Sequence, residues 1–211
     1  MMSPDSRPHR GLAVTDRAVD TESAAGVTCR GHLPEAPTRN HPLAEGVAIM
    51  SYPPVRFDGP AGAGTAAFRP RDSPPDLTTA RGFVDFLATD RTTAGEFGLY
   101  RWNMGHQVSG PDAHFHRTIS ESFFVLDGSV RLYDGSRWID AAAGDFLYVP
   151  VGGIHAFKNE SGAPASMLLL FAPGAPREAY FEALAEMAST GKQLSDDEYT
   201  EFLRGHDQYM V

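Results

Sequence analysis

Two histidines and a glutamate precede a run of large apolar residues in the stretch GPDAHFHRTISESFFVLDG, residues 110–128. His114 and His116 are two residues apart, so on a β-strand both side chains point to the same face and their imidazoles can converge on one point. A buried polar group costs free energy unless a partner satisfies it. The pair therefore indicates a shared ligand, and a metal ion is the candidate.

Two further residues could complete such a site. Glu121 lies five residues after His116, an odd offset that would place it on the opposite face of a straight strand. We therefore expect a turn or bulge within residues 117–120, so that the carboxylate arrives from the next strand. His155 follows a tight Pro- and Gly-containing connection, residues 150–153, just before a short apolar strand. The spacing thus offers three imidazoles and one carboxylate.

This donor set suits several divalent transition metals, namely Fe, Mn, Ni, Co, Cu or Zn, and leaves positions open for a substrate if the ion is five- or six-coordinate. A closed structural zinc site is an alternative, although such sites favour thiolate ligands. A single H-x-H pair is more often hydrogen-bonded surface or core than a metal site. His106, near the pair, is a candidate acid or base, with a solvated loop residue as the more ordinary interpretation.

The elements that must position these residues have the pattern of an all-β sandwich or barrel. Between residues 82 and 172, short β-type runs alternate with Gly, Pro, Asp and Asn, and no long helical period is present. Asp-Gly pairs at 127–128 and 134–135 predict hairpin turns. The predicted strands are GFVDFLAT, GEFGLYRWNM, AHFHR, ESFFVLD, SVRLYD, RWIDA, DFLYVP, IHAFKN and ASMLLLFA.

Residues 173–211 are expected to form helices packed on the barrel. Pro176 suits the first turn of one helix, which Gly191 ends, and its apolar residues form one stripe. Ser195 and Glu198 have capping-box spacing at the start of a second, short helix. On the N-terminal side of the predicted barrel, residues 50–81 are expected to be an irregular lead-in. Residues 1–49 have the composition of a disordered extension, and Met50 is a possible alternative start.

Composition limits the partners. The 211 residues are enough for one well-buried core. With 18 Lys plus Arg against 27 Asp plus Glu, the net charge of -9 argues against nucleic acid or an anionic membrane as partner. The single cysteine, Cys29, excludes an intramolecular disulfide and fits the cytoplasm. The apolar runs fall far short of the roughly 20 residues of a membrane-spanning helix, so we expect a soluble protein.

Two fixed-spacing patterns occur together between His114 and Asn159. The first is H-x-H, four residues, Glu, six residues, Gly; the second is Gly, five residues, Pro-x-Gly, two residues, His, three residues, Asn. The sequence here resembles the two motifs of the cupin superfamily, and especially its quercetin-dioxygenase-like single-domain members. It departs at Val108, where the family's first-motif glycine is usual. The nine matching positions are His114, His116, Glu121, Gly128, Gly144, Pro150, Gly152, His155 and Asn159.

The resemblance implies a small antiparallel β-barrel of jelly-roll type. It implies one divalent transition metal per chain, held by His114, His116, Glu121 and His155. It also implies a homodimer. The leading hypothesis is a metal-dependent dioxygenase acting on a small phenolic, flavonol-like or enol-type substrate, with Glu121 able to leave the metal and act as catalytic base. The alternatives are a non-redox isomerase, epimerase or lyase, and a binding module without turnover.

Overall fold

The computed structural model describes residues 52–211 of the chain. The predicted disordered extension, residues 1–49, lies outside the described residues. The chain divides at Gly62 into two units, and the second, Ala63–Val211, contains all the strands and helices of the described residues. The irregular lead-in and the other domain boundaries that the sequence suggested stay predictions.

The second unit has eleven strands and two helices within the described residues. The strands are β1 (Leu77–Thr79), β2 (Gly82–Ala88), β3 (Gly98–Met104), β4 (His114–Phe115), β5 (Ser120–Asp127), β6 (Ser129–Tyr133), β7 (Trp138–Ala142), β8 (Phe146–Val149), β9 (Ala156–Lys158), β10 (Ala165–Ala172) and β11 (Tyr209–Met210). The helices are α1 (Arg177–Thr190) and α2 (Asp196–Gly205).

The larger sheet has six antiparallel strands in the order β1-β2-β3-β10-β5-β8. The core forms where β10 lies between β3 and β5: Leu169 pairs with Tyr100 on one side and Phe123 on the other. All three side chains are buried, and residues along β10 alternate between buried and half-buried. Because fully burying a large apolar side chain contributes roughly 1.5–3 kcal/mol, this inner face stabilises the fold more than any single turn does.

The smaller strands form the opposing layer. Strands β7, β6 and β9 make one antiparallel ladder, and β11 pairs with β4 in another. The two ladders are joined by reciprocal backbone hydrogen bonds, His114 to His155 at 3.0 and 2.9 Å and Ser109 to Asn159 at 3.3 and 2.9 Å. The result is the predicted antiparallel jelly-roll barrel, with the core between the two layers.

All nine predicted strands are confirmed, and two short ones, β1 and β11, were missed because two or three residues carry too little periodicity. One predicted hairpin is wrong. Gly128 connects β5 to β6, which lie in different sheets and do not pair. A Cβ at Gly128, whose φ is 73°, would lie 2.6 Å from the carbonyl oxygen of Pro164, so glycine is needed for a close crossing between sheets. The Asp-Gly turn at 134–135 does join the hairpin of β6 and β7.

Both C-terminal helices form as predicted. Gly191 ends α1 in the left-handed conformation, and Ser195 and Glu198 complete the capping box of α2. Helix α1 packs on the barrel at β3, where the Phe181 ring lies 5.3 Å from the Tyr100 ring and 5.0 Å from the Trp102 ring. No helix among residues 52–211 is long and apolar enough to cross a bilayer.

Asn159 fixes two loops through its buried side chain. Its Nδ2 donates to the carbonyl oxygens of Gly105 and Ala163, both at 2.9 Å. Its Oδ1 accepts hydrogen bonds from the backbone N–H and the hydroxyl of Ser161. The prediction that Asn159 bonds backbone is thus confirmed, and the contact to Gly105 ties this turn to the loop ahead of the first motif.

Replacing Asn159 with alanine removes all the hydrogen bonds that its buried side chain makes to the two loops. We expect Asn159→Ala to lower the free energy of unfolding by roughly 2–3 kcal/mol, since each hydrogen bond lost contributes about 0.5–1.5 kcal/mol. Urea denaturation measures this. Gln107→Ala, an exposed change in the loop that Asn159 holds, is the control and should fall within about 0.5 kcal/mol of wild type. Equal stability of the two variants would contradict the role given to Asn159.

Candidate metal centre

The four residues predicted as metal ligands lie together inside the barrel. One ligand atom from each of His114, His116, Glu121 and His155 lies within 4.8 Å of the other three. All four side chains are buried, with exposed fractions of 0–4%. Folding thus gathers three imidazoles and a carboxylate at one point, which is the arrangement that a divalent transition metal requires.

Three separate strand ends bring these side chains together. His114 begins β4 and His116 follows its last residue, so the two keep the two-residue spacing that directs both inward. Residues 116–119 then leave the strand, and Glu121 enters from β5, as the odd offset predicted. His155 precedes β9 and is held against His114 by the reciprocal backbone hydrogen bonds described above.

Glu121 is the point on which two of the imidazoles converge. Its Oε2 lies 2.8 Å from Nε2 of His155 and 3.2 Å from Nε2 of His116. Burial by itself would raise the pKa of Glu121, but the hydrogen bonds and charges of His116 and His155 bring it well below its ordinary value. The carboxylate is therefore ionised at neutral pH and available to a cation.

The other ring nitrogen of each histidine is bound to a backbone carbonyl oxygen. Nδ1 of His114 lies 2.8 Å from the oxygen of Asp112, and Nδ1 of His155 lies 3.0 Å from that of Gly153. Nδ1 of His116 lies 2.5 Å from the oxygen of Asp207. A carbonyl oxygen only accepts, so each Nδ1 is the donor and each Nε2 faces the cluster. Histidines that ligate metals are oriented in this way.

The protonation behaviour of His114 and His155 differs. Burial, with the nearby charge of His155, lowers the pKa of His114 to about 4, so this imidazole is neutral at pH 7 and able to ligate. Burial would also lower the pKa of His155, but its hydrogen bond and attraction to Glu121 raise it above its ordinary value. Because a ligating imidazole must be unprotonated at Nε2, metal binding at these atoms would displace any proton that His155 holds there.

Asp207 is a residue of this site that the sequence did not reveal. Besides accepting from His116, it receives hydrogen bonds on its carboxylate from the N–H groups of Arg117 and Thr118, both at 2.9 Å, and from the Thr118 hydroxyl. Burial would raise its pKa, but these donors lower it below its ordinary value. Asp207 lies 91 residues after His116, and no local motif connects the two.

The departure at Val108 leaves the ligands in place. Val108 is 60% exposed in a loop, and the backbone position that requires glycine is Gly110. Its φ is 124°, and a Cβ there would lie 2.0 Å from the carbonyl oxygen of Phe157. The close approach thus occurs two residues later than the family motif would place it. His106, in the same loop, is exposed and stands outside the ligand cluster.

Substituting Asp207 tests whether the C-terminal segment orients His116. Asp207→Ala keeps the backbone carbonyl that His116 bonds, but it removes the acceptor that fixes the 117–118 turn and places alanine at a φ of 57°. We therefore expect His116 to be less well oriented and metal affinity to fall roughly 10-fold or more. Competition with a chelator measures the affinity. Asp207→Asn keeps one acceptor oxygen and tolerates this φ, so it should retain most of the affinity. An Ala variant that binds metal like wild type would refute this role.

Comparison with known families agrees with this geometry. Residues 99–171 match the family model described as a cupin domain. The matched stretch runs from β3 to β10 and includes all four candidate ligands.

Individual relatives are distant. Over 85 residues the chain is 26% identical to quercetin 2,3-dioxygenase of Bacillus subtilis (strain 168), which is 40% of this chain and 25% of that protein. The match thus spans about a quarter of that relative's length. The structure is similar to KdgF from Halomonas sp., with 11% identity, a TM-score of 0.47 and coverage of 55% of this chain and 99% of that one. A predicted oxalate decarboxylase from Thermotoga maritima has 16% identity, a TM-score of 0.46 and coverage of 51% and 99%.

Proposed function

We propose that the protein is a metal-dependent dioxygenase, because residues 99–171 match the model of a cupin domain and gather four metal-type ligands in the interior of the fold. The proposed substrate is a small phenolic, flavonol-like or enol-type molecule. The observation that carries the proposal is the gathering of three imidazoles, each oriented through Nδ1, and one ionised carboxylate, with their ligand atoms within 4.8 Å of one another. The distant similarity to quercetin 2,3-dioxygenase supports the choice of reaction.

The residues present fit a divalent transition metal, with one ion per chain held by His114, His116, Glu121 and His155. Such an ion supplies Lewis acidity and, for Fe, Mn, Ni, Co or Cu, a route for electrons between an enolate or phenolate and dioxygen. The buried ring of Phe123, 5.9 Å from the His155 ring, contributes an apolar wall. That wall excludes water, which strengthens the electrostatic interactions inside.

Glu121 is the proposed base. The atom that would receive a proton from a substrate hydroxyl is Oε2, which lies 3.2 Å from Nε2 of His116 and 2.8 Å from Nε2 of His155. While Oε2 is held by these imidazoles, or would be held by a metal bound among them, Glu121 is a weak base, because its pKa lies well below the ordinary value. Proton transfer to Glu121 thus requires its release from at least one of these partners, so its role as base is coupled to a movement of the carboxylate.

Oxygen consumption tests the reaction class. We expect wild-type protein, loaded in turn with each candidate metal, to consume oxygen with at least one member of a flavonol and enol panel. A His114→Ala, His116→Ala double variant should lose the metal and slow uptake by roughly 100-fold or more, since losing even a partner of a ligand costs about 10- to 100-fold. Metal analysis and an oxygen electrode provide the measurements.

His106→Ala is the matched control, because this histidine is exposed and outside the cluster. Its metal content and rate should equal those of wild type. Zinc as the sole bound metal, with no oxygen uptake on any substrate, would exclude the dioxygenase. Exchange of substrate protons with solvent deuterium under the same conditions would then favour the isomerase or lyase alternative.

We also propose that two copies associate through the outer face of the larger sheet. Phe124 and Leu126 on β5 are about two-fifths exposed, and Phe146 and Tyr148 on β8 are exposed by 62% and 58%. Apolar patches of this kind mark interaction sites. These outward positions bear no charge, so copies with a net charge of -9 can meet here without acidic side chains facing each other.

Sedimentation equilibrium tests the dimer. We expect a wild-type mass of twice the chain mass, and a monomer for Phe146→Glu with Tyr148→Glu, because four buried carboxylates at a two-fold interface repel one another. Val151→Glu, at another exposed apolar position, should leave the mass unchanged. A monomeric wild-type protein, or a dimeric double variant, would contradict this interface.

We also propose a cellular compartment and a class of partner for the protein. The single cysteine, Cys29, can form no intramolecular disulfide, which is compatible with a reducing compartment, and we propose the cytoplasm. The acidic balance of the chain supports a small-molecule substrate over nucleic acid as its partner.

A further inference from the structure

Arg177, the first residue of α1, is a buried cation with no ion-pair partner among residues 52–211. The residue is 4% exposed. No carboxylate of the described residues lies within 4.0 Å of its guanidinium. Nη1 donates to the carbonyl oxygen of His206 at 2.7 Å. Nε is buried and has no acceptor. Buried polar groups without a hydrogen-bond partner are rare in folded proteins, and each one indicates either a ligand that binds there or a strained position.

Phe171 is an aromatic neighbour of both the candidate metal centre and the guanidinium. The Cζ of Arg177 is 5.1 Å from the ring centre of Phe171. Phe171 is the direct cross-strand neighbour of Glu121, and its ring lies 6.2 Å from the ring of His116. One aromatic side chain therefore contacts both Arg177 and the ligand cluster. In agreement, burial lowers the pKa of Arg177 while the charge of Glu121 opposes that effect.

Aromatic rings surround the guanidinium but do not neutralise it. Its Cζ lies 4.4 Å from the Tyr180 ring centre and 5.5 Å from that of Phe181. Cation–π contacts and one carbonyl recover only part of the hydration that a buried cation loses. An apolar side chain of similar size would fill the same space without losing hydration, so packing alone does not explain an arginine here. A buried cation that is only partly compensated attracts an anion, and the start of α1 at Pro176, which has no side-chain cap, adds positive potential.

The geometry points to Arg177 as the residue that binds a carboxylate of the substrate held at the metal centre. Nε and Nη2 form one edge of a guanidinium, and that edge matches the two oxygens of a carboxylate. Nη1, on the other side, is already engaged by His206. This inference rests on the proposed function and narrows its substrate class to phenolic or enol-type acids.

A purely positioning role is the competing explanation. Arg177 holds the carbonyl of His206, and the carbonyl of the next residue, Asp207, orients His116. If positioning were the whole role, loss of Arg177 would weaken metal binding, and substrate binding would fall only in consequence. Metal affinity and acid affinity must therefore be measured separately.

The test compares 2-hydroxybenzoate with its neutral counterpart 2-hydroxybenzamide on metal-loaded full-length protein by calorimetry. We expect wild type to bind the acid at least 10-fold more tightly than the amide. Arg177→Gln should abolish that preference with metal affinity changed less than 3-fold, and Arg177→Lys, which keeps the charge, should retain part of it. Arg204→Gln, at an exposed arginine of α2, is the matched control and should behave like wild type.

Several outcomes would overturn the inference. A wild-type protein without preference for the acid does so without any variant. The inference is also overturned if Arg177→Gln still prefers the acid to the amide. It is likewise overturned if the variant loses this preference only because it no longer binds the metal. These results are distinct from failure of the proposed function: acid preference that depends on Arg177, in a metal-loaded protein that consumes no oxygen, would refute the dioxygenase and leave the carboxylate site standing.

Discussion

The reciprocal backbone hydrogen bonds between His114 and His155, at 3.0 and 2.9 Å, are the constraint on which the site depends. They join β4 to the segment that leads into β9, and so connect the two ladders of the smaller layer. Because the same two residues are candidate ligands, the pairing that joins these strands also brings two of the four candidate ligands together. A side chain at either position cannot reach the cluster unless this pairing forms.

The C-terminal segment completes what the barrel begins. Strand β11 pairs with β4, so that Met210 lies opposite His114. Asp207, just before it, accepts from His116 and clamps the turn that follows. The histidine orientations thus come from three backbone carbonyls in three different parts of the chain. Since backbone carbonyls only accept, this arrangement sets which nitrogen of each ring faces the cluster, without any additional side chain.

Packing explains why the centre is both charged and buried. The inner face of β10 places Phe171 beside Glu121, so an ionised carboxylate lies among aromatic rings. Such a group is tolerated because polar ring atoms lie beside it: Nε2 of His116 and Nε2 of His155 are 3.2 and 2.8 Å from its Oε2. Helix α1 packs on the barrel and adds the guanidinium of Arg177 beside Phe171. The carboxylate of Glu121 and this guanidinium carry opposite charges in apolar surroundings, where charges interact more strongly than they would in water.

The sequence by itself determined the elements and the ligand set. Alternation along runs such as ASMLLLFA predicts strands, because side chains in a strand point to opposite faces with a period of two. The four candidate ligands lie close enough in sequence to be recognised as a motif by their spacing: His114, His116, Glu121 and His155. The roles of Asp207 and Arg177 were decided only by the tertiary structure. Each acts across long stretches of chain, through a carbonyl or a ring contact that leaves no periodic or motif signal. The crossover at Gly128 was decided there too, because Asp-Gly permits a positive φ but does not say which strand comes next.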